Sequence, residues 1–99
     1  MLIEKIGKPA MLEQTAEECV ELAHACLKLA RYYRGENKVY GKSEEELLDN
    51  LVEEMADVAI CIAETVSGFD LFKQYDNWFI KKEYRLQKRL EELDNENSD

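Results

Sequence analysis

One stretch of the sequence decides the fold: Met55-Ala56-Asp57-Val58-Ala59-Ile60-Cys61-Ile62-Ala63. Asp57 is its only polar side chain, and a helix that is apolar on all sides is normally buried on most of them. The stretch therefore predicts the centre of a helical core. An ionised carboxylate buried there without a partner costs several kcal/mol. Asp57 must lose its charge, meet a cation or face a wet cavity.

Outward from this stretch, the spacing of apolar residues is helical in three segments. The first segment carries Leu12, Ala16, Cys19, Ala23, Cys26 and Ala30, and the second carries Leu48, Leu51, Met55, Ile62 and Val66. The predicted helices run from about Ala10 to Arg34, from Ser43 to Ser67-Gly68, and from about Asp76 to Leu93. We expect an all-α chain of three main antiparallel helices.

The ends of these helices have their own signals. Ser43 with Glu46 three residues later is a capping-box pattern at the start of the second helix. Gly68 is expected to end that helix in the left-handed conformation. The polar stretch Gly35–Lys42 predicts a loop, and the polar tail 94–99 is expected to fray.

The chain has 99 residues, which is enough for one domain over residues 1–99 with a small core. We therefore expect a homo-oligomer, either a homodimer or a homotetramer. The net charge of −9 argues against binding to duplex nucleic acid. No apolar run is long enough for a signal peptide or a membrane span, so we expect a cytoplasmic protein without membrane contact. Reduced, buried thiols are expected at Cys19, Cys26 and Cys61.

A second acid also interrupts an apolar stretch, because Glu21 is the single acid between Cys19 and Leu27. Glu18 precedes Glu21 by three residues, and Glu54 precedes Asp57 by three, so each pair shares a helix face. Two such clusters repel each other if they meet, and a positive charge is then needed between them. Ligand sets made only of oxygen select hard cations, which favours Mg²⁺ and allows Mn²⁺.

The alternative is that these acids are only solvated. Glu17, Glu18 and Glu21 fall on the side of the first helix opposite Leu12, Cys19 and Ala30, as residues of a polar surface do. Asp57 favours the metal interpretation more than the glutamates do, since aspartate has a poor helix propensity and stands in the middle of an apolar helix.

The two acidic motifs together resemble those of the MazG-like nucleotide pyrophosphohydrolases, whose pattern is EExxE followed by ExxD. Glu17-Glu18-Cys19-Val20-Glu21 matches the first motif and Glu54-Met55-Ala56-Asp57-Val58 matches the second. The resemblance covers about residues 10–90. It implies an oligomeric helical bundle that binds Mg²⁺ and hydrolyses a nucleoside triphosphate to the monophosphate and pyrophosphate.

The resemblance also implies roles for single residues. Metal ligation falls to Glu18, Glu21, Glu54 and Asp57. Glu17 matches the extra acid that positions or deprotonates the attacking water. Apart from the resemblance, the spacing of Lys82, Arg85 and Arg89 on the third helix indicates phosphate binding. The alternative for these three residues is a solvated face that pairs with neighbouring glutamates. The branch that acts on phosphoribosyl-ATP typically has histidine four residues after the motif aspartate, and Cys61 at that place argues against that substrate.

Two other classes of protein stay open. Glu21-Leu22-Ala23-His24 is an ExxH unit, and a homodimer would supply the two such units of a carboxylate-bridged di-iron bundle. A non-enzymatic helical dimerisation module, with only surface acids, is the third hypothesis. A metal content measurement and a nucleotide-dependent thermal shift separate the three classes.

Overall fold

The computed structural model describes residues 1–36 and 41–97, and these residues are helical apart from caps and short links. The helices are α1 Leu2–Ile6, α2 Lys8–Arg34, α3 Glu44–Gly68 and α4 Phe72–Glu96. No strand occurs within the described ranges. The all-α class predicted from the spacing of apolar residues is confirmed.

The helices extend further than their apolar periodicity indicated. The short helix α1 was not predicted, and α2 begins before Ala10 with Pro9 in its first turn, where the missing N–H is not needed. α4 continues through residues 94–96, so the prediction of a frayed tail is wrong there. Once a helix has formed, each added residue gains a hydrogen bond, and polar residues can continue it in water. Residues 98–99 lie outside the described part of the chain.

The capping signals are confirmed at two ends. The backbone N–H of Glu46 donates to the Ser43 hydroxyl oxygen over 3.2 Å at the start of α3. The second half of the capping box differs from expectation, because the Ser43 hydroxyl and the Glu46 carboxylate contact each other at 3.4 Å. Gly35 ends α2 in the left-handed conformation, with φ 67°. Of the loop predicted after it, residues 37–40 lie outside the described residues.

The end of α3 corrects one expectation. Gly68 is still helical, and the residue with positive φ is Asp70, at 54°. Gly68 serves packing, because a Cβ atom there would overlap the Cγ2 atom of Ile3. The missing side chain lets α1 lie against the end of α3.

The core is the seam between α2 and α3, which pack antiparallel along their lengths with α1 across one end. The hydroxyls of Thr15 and Thr65 meet across the seam at 3.4 Å. The buried residues are Ile3, Met11, Ala25, Leu29, Leu47, Val58 and Cys61. This core is small for a chain of this length.

The apolar stripes recognised in the sequence flank the seam instead of filling it. Leu12 is 49% exposed and Met55 is 52% exposed. The seam of α2 is formed one position away, by Met11, Thr15, Glu18, Leu22, Ala25 and Leu29. The expectation of three buried thiols is therefore right for Cys61 and wrong within this chain for Cys19 and Cys26, which are exposed.

The chain is open in shape. Its radius of gyration is 17.9 Å, compared with about 13 Å for a compact domain of this length. α4 contacts α3 but has no contact with α1 or α2, and none of its described residues is buried. None of the helices in the described ranges is both long enough and apolar enough to cross a bilayer.

The close approach of Gly68 and Ile3 makes a stability prediction. Gly68→Ala should lower the free energy of unfolding by about 1–3 kcal/mol, because the new methyl group overlaps the Ile3 side chain. Chemical denaturation measures the change. Ile3→Ala combined with Gly68→Ala should be no less stable than Ile3→Ala alone, and an additive loss would contradict the steric explanation.

Candidate functional site

Three carboxylates from two helices meet in the middle of the seam. Glu18 and Glu21 of α2 and Glu54 of α3 each offer one oxygen, and these three oxygens all lie within 4.8 Å of one another. We call these three residues the carboxylate cluster. Glu18 and Glu54 are half-buried, whereas Glu21 is exposed. The cluster thus extends from the seam to the surface.

The local sequence places two of these acids at core positions. Glu18 occupies the seam step between Thr15 and Leu22 on α2. Glu54 occupies the equivalent step on α3, between Leu51 and Val58. The neighbouring seam residues pack against the other helix, and each acid lies in the seam because it shares their helix face.

Two oxygens of the cluster have no partner. Oε2 of Glu18 and Oε2 of Glu54 are inaccessible to solvent and accept no hydrogen bond. Gln14 Nε2 donates to the other oxygen of Glu18 over 2.9 Å. Within residues 1–36 and 41–97 the ion pairs join the N-terminus to Glu4 and Arg34 to Glu36, so no lysine or arginine there neutralises the cluster.

The pKa values report the same imbalance of charge. Partial burial raises the pKa of Glu18 above its ordinary value of 4.5, and the charges of Glu21 and Asp57 raise it further. Glu54 has its pKa raised by the same causes in the same order. A proton or a metal cation relieves this repulsion.

Asp57 adds to the field of the cluster from its edge. Its side chain is half-buried, and its charge acts on both Glu18 and Glu54. Three of the four acids predicted as ligands, Glu18, Glu21 and Glu54, therefore bring oxygens together. Asp57 is close enough for its charge to act on two of them, but it is outside the group whose oxygens converge.

Glu17 and His24 lie on the outer side of α2. Both are exposed and line a shallow pocket with Ala16, Val20 and Glu21. Glu21 thus belongs both to the carboxylate cluster and to this pocket. His24 does not belong to the group of three acids whose oxygens converge.

The basic residues predicted to bind phosphate stand apart from the cluster within one chain. Lys82, Arg85 and Arg89 are exposed on α4, which has no contact with α2. The structure of the single chain therefore does not bring them to the carboxylates.

Sequence reasoning missed Glu64. Its Oε2 atom is inaccessible to solvent and unpartnered, as in Glu18 and Glu54. Glu64 follows Asp57 by seven residues and so returns to nearly the same helix face. The spacing of seven residues could have indicated that Glu64 shares a helix face with Asp57. Glu64 was missed because it follows the apolar run 55–63 and does not interrupt it.

Cys61 is the buried thiol closest to this chemistry. Burial raises the pKa of its thiol, and the charge of Glu18 raises it further. The thiol is therefore protonated at neutral pH in the metal-free chain, and Cys61 is not among the residues whose ligand atoms converge.

The raised pKa values predict a pH dependence in metal-free protein. Protonated Glu18 and Glu54 contribute stability that is complete below pH 4.5 and is lost as the pH rises through their folded-state pKa values. Glu54→Gln removes one repelling charge, so its melting temperature at pH 7 should exceed that of the unmodified chain by a few degrees. Thermal melts in a chelating buffer measure this, with Glu92→Gln on exposed α4 as the control. Equal melting temperatures for all three proteins would show that the cluster carries no repulsion.

Comparison with known proteins gives no match: no family model, no curated protein and no solved structure matches this chain. The interpretation of the carboxylate cluster rests on its own chemistry.

Proposed function

We propose that this chain is a MazG-like, Mg²⁺-dependent nucleotide pyrophosphohydrolase that converts a nucleoside triphosphate to the monophosphate and pyrophosphate. One observation carries the proposal: Glu18 and Glu54 belong to a cluster of carboxylates from two helices, and each has a solvent-inaccessible oxygen without a hydrogen-bond partner. A protein that needed only a stable seam would gain by replacing these acids with apolar side chains.

The donor set fits a hard divalent cation. Glu18, Glu21, Glu54 and the adjacent Asp57 offer only carboxylate oxygens, which suit Mg²⁺ and also Mn²⁺. Half-buried Glu18 and Glu54 form the protein side of such a site. Glu21 is exposed, which leaves the outer side open to water and to substrate phosphate.

The divalent ion, when bound, would neutralise triphosphate charge and lower the pKa of a bound water. The protein supplies the positions of the acids around it. Glu17 lies one helical turn before Glu21 on the same exposed flank, where it would accept a proton from the water that attacks the α-phosphorus. No covalent intermediate on the protein is needed.

Binding of a triphosphate needs positive charge, and the helices α2 and α3 supply no lysine or arginine at the carboxylate cluster. In this proposal Lys82, Arg85 and Arg89 bind the outer phosphates. The protein acts as a homodimer or a homotetramer, and α4 is an exposed element within one chain.

Two substitutions test the ligand assignment. Asp57→Asn and Glu21→Gln should each lower pyrophosphate release by about a hundredfold or more, because each removes charge that stabilises a bound cation. The assay measures pyrophosphate across the ribo- and deoxyribonucleoside triphosphates, with and without Mg²⁺. Glu92→Gln is the matched control and should retain activity, and circular dichroism checks that all variants stay helical. Turnover retained by either ligand variant would refute its role.

A binding measurement separates the other two classes of protein. Mg²⁺ with a non-hydrolysable nucleotide should raise the melting temperature, with about 2.7 kcal/mol of added stability at a hundred times the dissociation constant. An unchanged melting temperature would favour the dimerisation module. Stoichiometric iron with an oxo-to-iron absorption band in purified protein would favour the di-iron bundle.

A further inference from the structure

A cleft lies between α3 and α4, close to the link that joins the two helices. Its volume is about 400 Å³, within the range of sites that hold small ligands. The α3 side includes Ala59, Ile62 and Ala63, and the α4 side is formed by Phe72, Tyr75 and Asp76. No residue of the carboxylate cluster lines the cleft. The cleft is therefore separate from the proposed catalytic site.

Small side chains shape the α3 side of the cleft. Ala59 and Ala63 are four residues apart, so their methyl groups are neighbours on the surface of the helix. Ile62, beside them, is 37% exposed. Short side chains let a ligand approach the backbone of α3 closely. This side of the cleft therefore suits a flat apolar group, such as an aromatic ring.

Two aromatic rings form most of the α4 side. Phe72 is 55% exposed and Tyr75 is 42% exposed, so much of each side chain is free to contact a ligand. They are three residues apart and share one side of the helix. The face of an aromatic ring carries negative potential, which attracts cations as well as other rings.

Other aromatic rings of this chain already contact a cation. Three lysine ammonium groups lie 5.0–5.8 Å from the centroid of a ring, and the pairs are Lys8 over Phe69, Lys81 over Trp78 and Lys88 over Tyr84. Among the described residues, no lysine or arginine lies over Phe72 or Tyr75 in this way. The two rings of the cleft can therefore accept a cation from a ligand.

Asp76 is the charged side chain of the cleft. It is exposed near the start of α4, at the edge of the apolar lining. Within residues 1–36 and 41–97 the ion pairs do not include it, and no lysine, arginine or histidine there lines the cleft. A carboxylate next to aromatic rings favours an ammonium group, which can donate hydrogen bonds to the carboxylate and lie over a ring. The net charge of −9 also attracts cations and repels anions.

We propose that the cleft between α3 and α4 binds a small aromatic amine in its protonated form. The ring of the ligand lies against Ala59 and Ala63 and beside Phe72 and Tyr75, and its ammonium group donates to the Asp76 carboxylate. The site goes beyond the proposed hydrolysis, because no step of that reaction uses these residues.

Tryptamine and tryptophol are matched probes for this site. They share the indole ring and the two-carbon chain, but tryptamine ends in an ammonium group and tryptophol in a neutral hydroxyl. Isothermal titration calorimetry of the full chain should show saturable binding of tryptamine with a dissociation constant on the order of 1 mM or lower. Tryptophol should bind about fivefold more weakly, since an exposed ion pair contributes little more than this. Added salt should weaken the binding of tryptamine alone.

Substitutions in the cleft separate the roles of charge and shape. Asp76→Asn should lower the affinity for tryptamine about fivefold and leave the affinity for tryptophol unchanged. Ala63→Leu should weaken the binding of both probes, because the larger side chain fills the space for the ring. Asp94→Asn is the matched control, since it removes an exposed charge from the same helix about 27 Å away at 1.5 Å per residue. Circular dichroism checks that all variants stay helical.

Nuclear magnetic resonance of ¹⁵N-labelled chain shows where tryptamine binds. The shift changes should centre on the backbone amides of Ala63 and Tyr75. Three results would overturn the proposal: no saturable binding of tryptamine, equal affinity for the two probes, or shift changes centred on the carboxylate cluster. A second copy of the chain that filled the cleft would produce the first of these results.

Pyrophosphate release is measured separately on the same proteins. Asp76→Asn should retain whatever release the unmodified chain shows, because Asp76 has no part in the proposed hydrolysis. A chain that binds tryptamine but releases no pyrophosphate would contradict the catalytic proposal alone. A chain that releases pyrophosphate but does not bind tryptamine would contradict the cleft proposal alone.

Discussion

The charges of Glu21 and Asp57 repel the carboxylates of Glu18 and Glu54, and the packing of the α2–α3 seam has to hold Glu18 and Glu54 in place against that repulsion. Their buried oxygens have no hydrogen-bond partner, and no lysine or arginine in the described ranges pairs with them. The seam holds them because residues such as Val58, Ala25 and Leu29 are buried around them. Packing of the apolar residues on either side therefore keeps the carboxylates close together although their charges repel one another.

Polar contacts moderate the repulsion without removing it. Gln14 donates to one oxygen of Glu18, and the hydroxyls of Thr15 and Thr65 meet one turn further along the seam. Each threonine hydroxyl also bonds the backbone carbonyl four residues earlier, so these hydroxyls are satisfied locally. Among the described residues, the buried side-chain atoms without a hydrogen-bond partner are all carboxylate oxygens. A seam that satisfies its neutral polar groups and leaves its acids unsatisfied favours the binding of a cation or a proton at those acids, and the proposed function rests on that preference.

The same seam separates the surfaces of the hairpin. Glu21 and Asp57 follow the seam residues Glu18 and Glu54 by three positions and lie on one face of the α2–α3 pair. Cys19 and Met55 follow the same seam residues by one position and lie on the opposite, apolar face. α4 contacts α3 and has no contact with α2, so most of the apolar face stays uncovered within one chain, whereas Glu21 on the acidic face is exposed. The small core of the single chain is consistent with this division, because much of its apolar surface lies outside the intramolecular seam.

The sequence determined the helical class because the periodicity of apolar residues is a local property. It also determined the cap of α3 at Ser43 and the end of α2 at Gly35, since these signals lie in the few residues around each helix end. The grouping of acids on each helix was equally local. The sequence did not determine which side of α2 would form the seam, because two neighbouring faces of this helix are apolar enough to pack against α3. Only the tertiary structure placed Glu18 inside the seam, left Leu12 and Met55 exposed, and showed that Gly68 is needed for contact with Ile3. These outcomes depend on which surfaces of distant segments pack against each other. Packing involves the whole chain, so the spacing of residues within one helix cannot predict it.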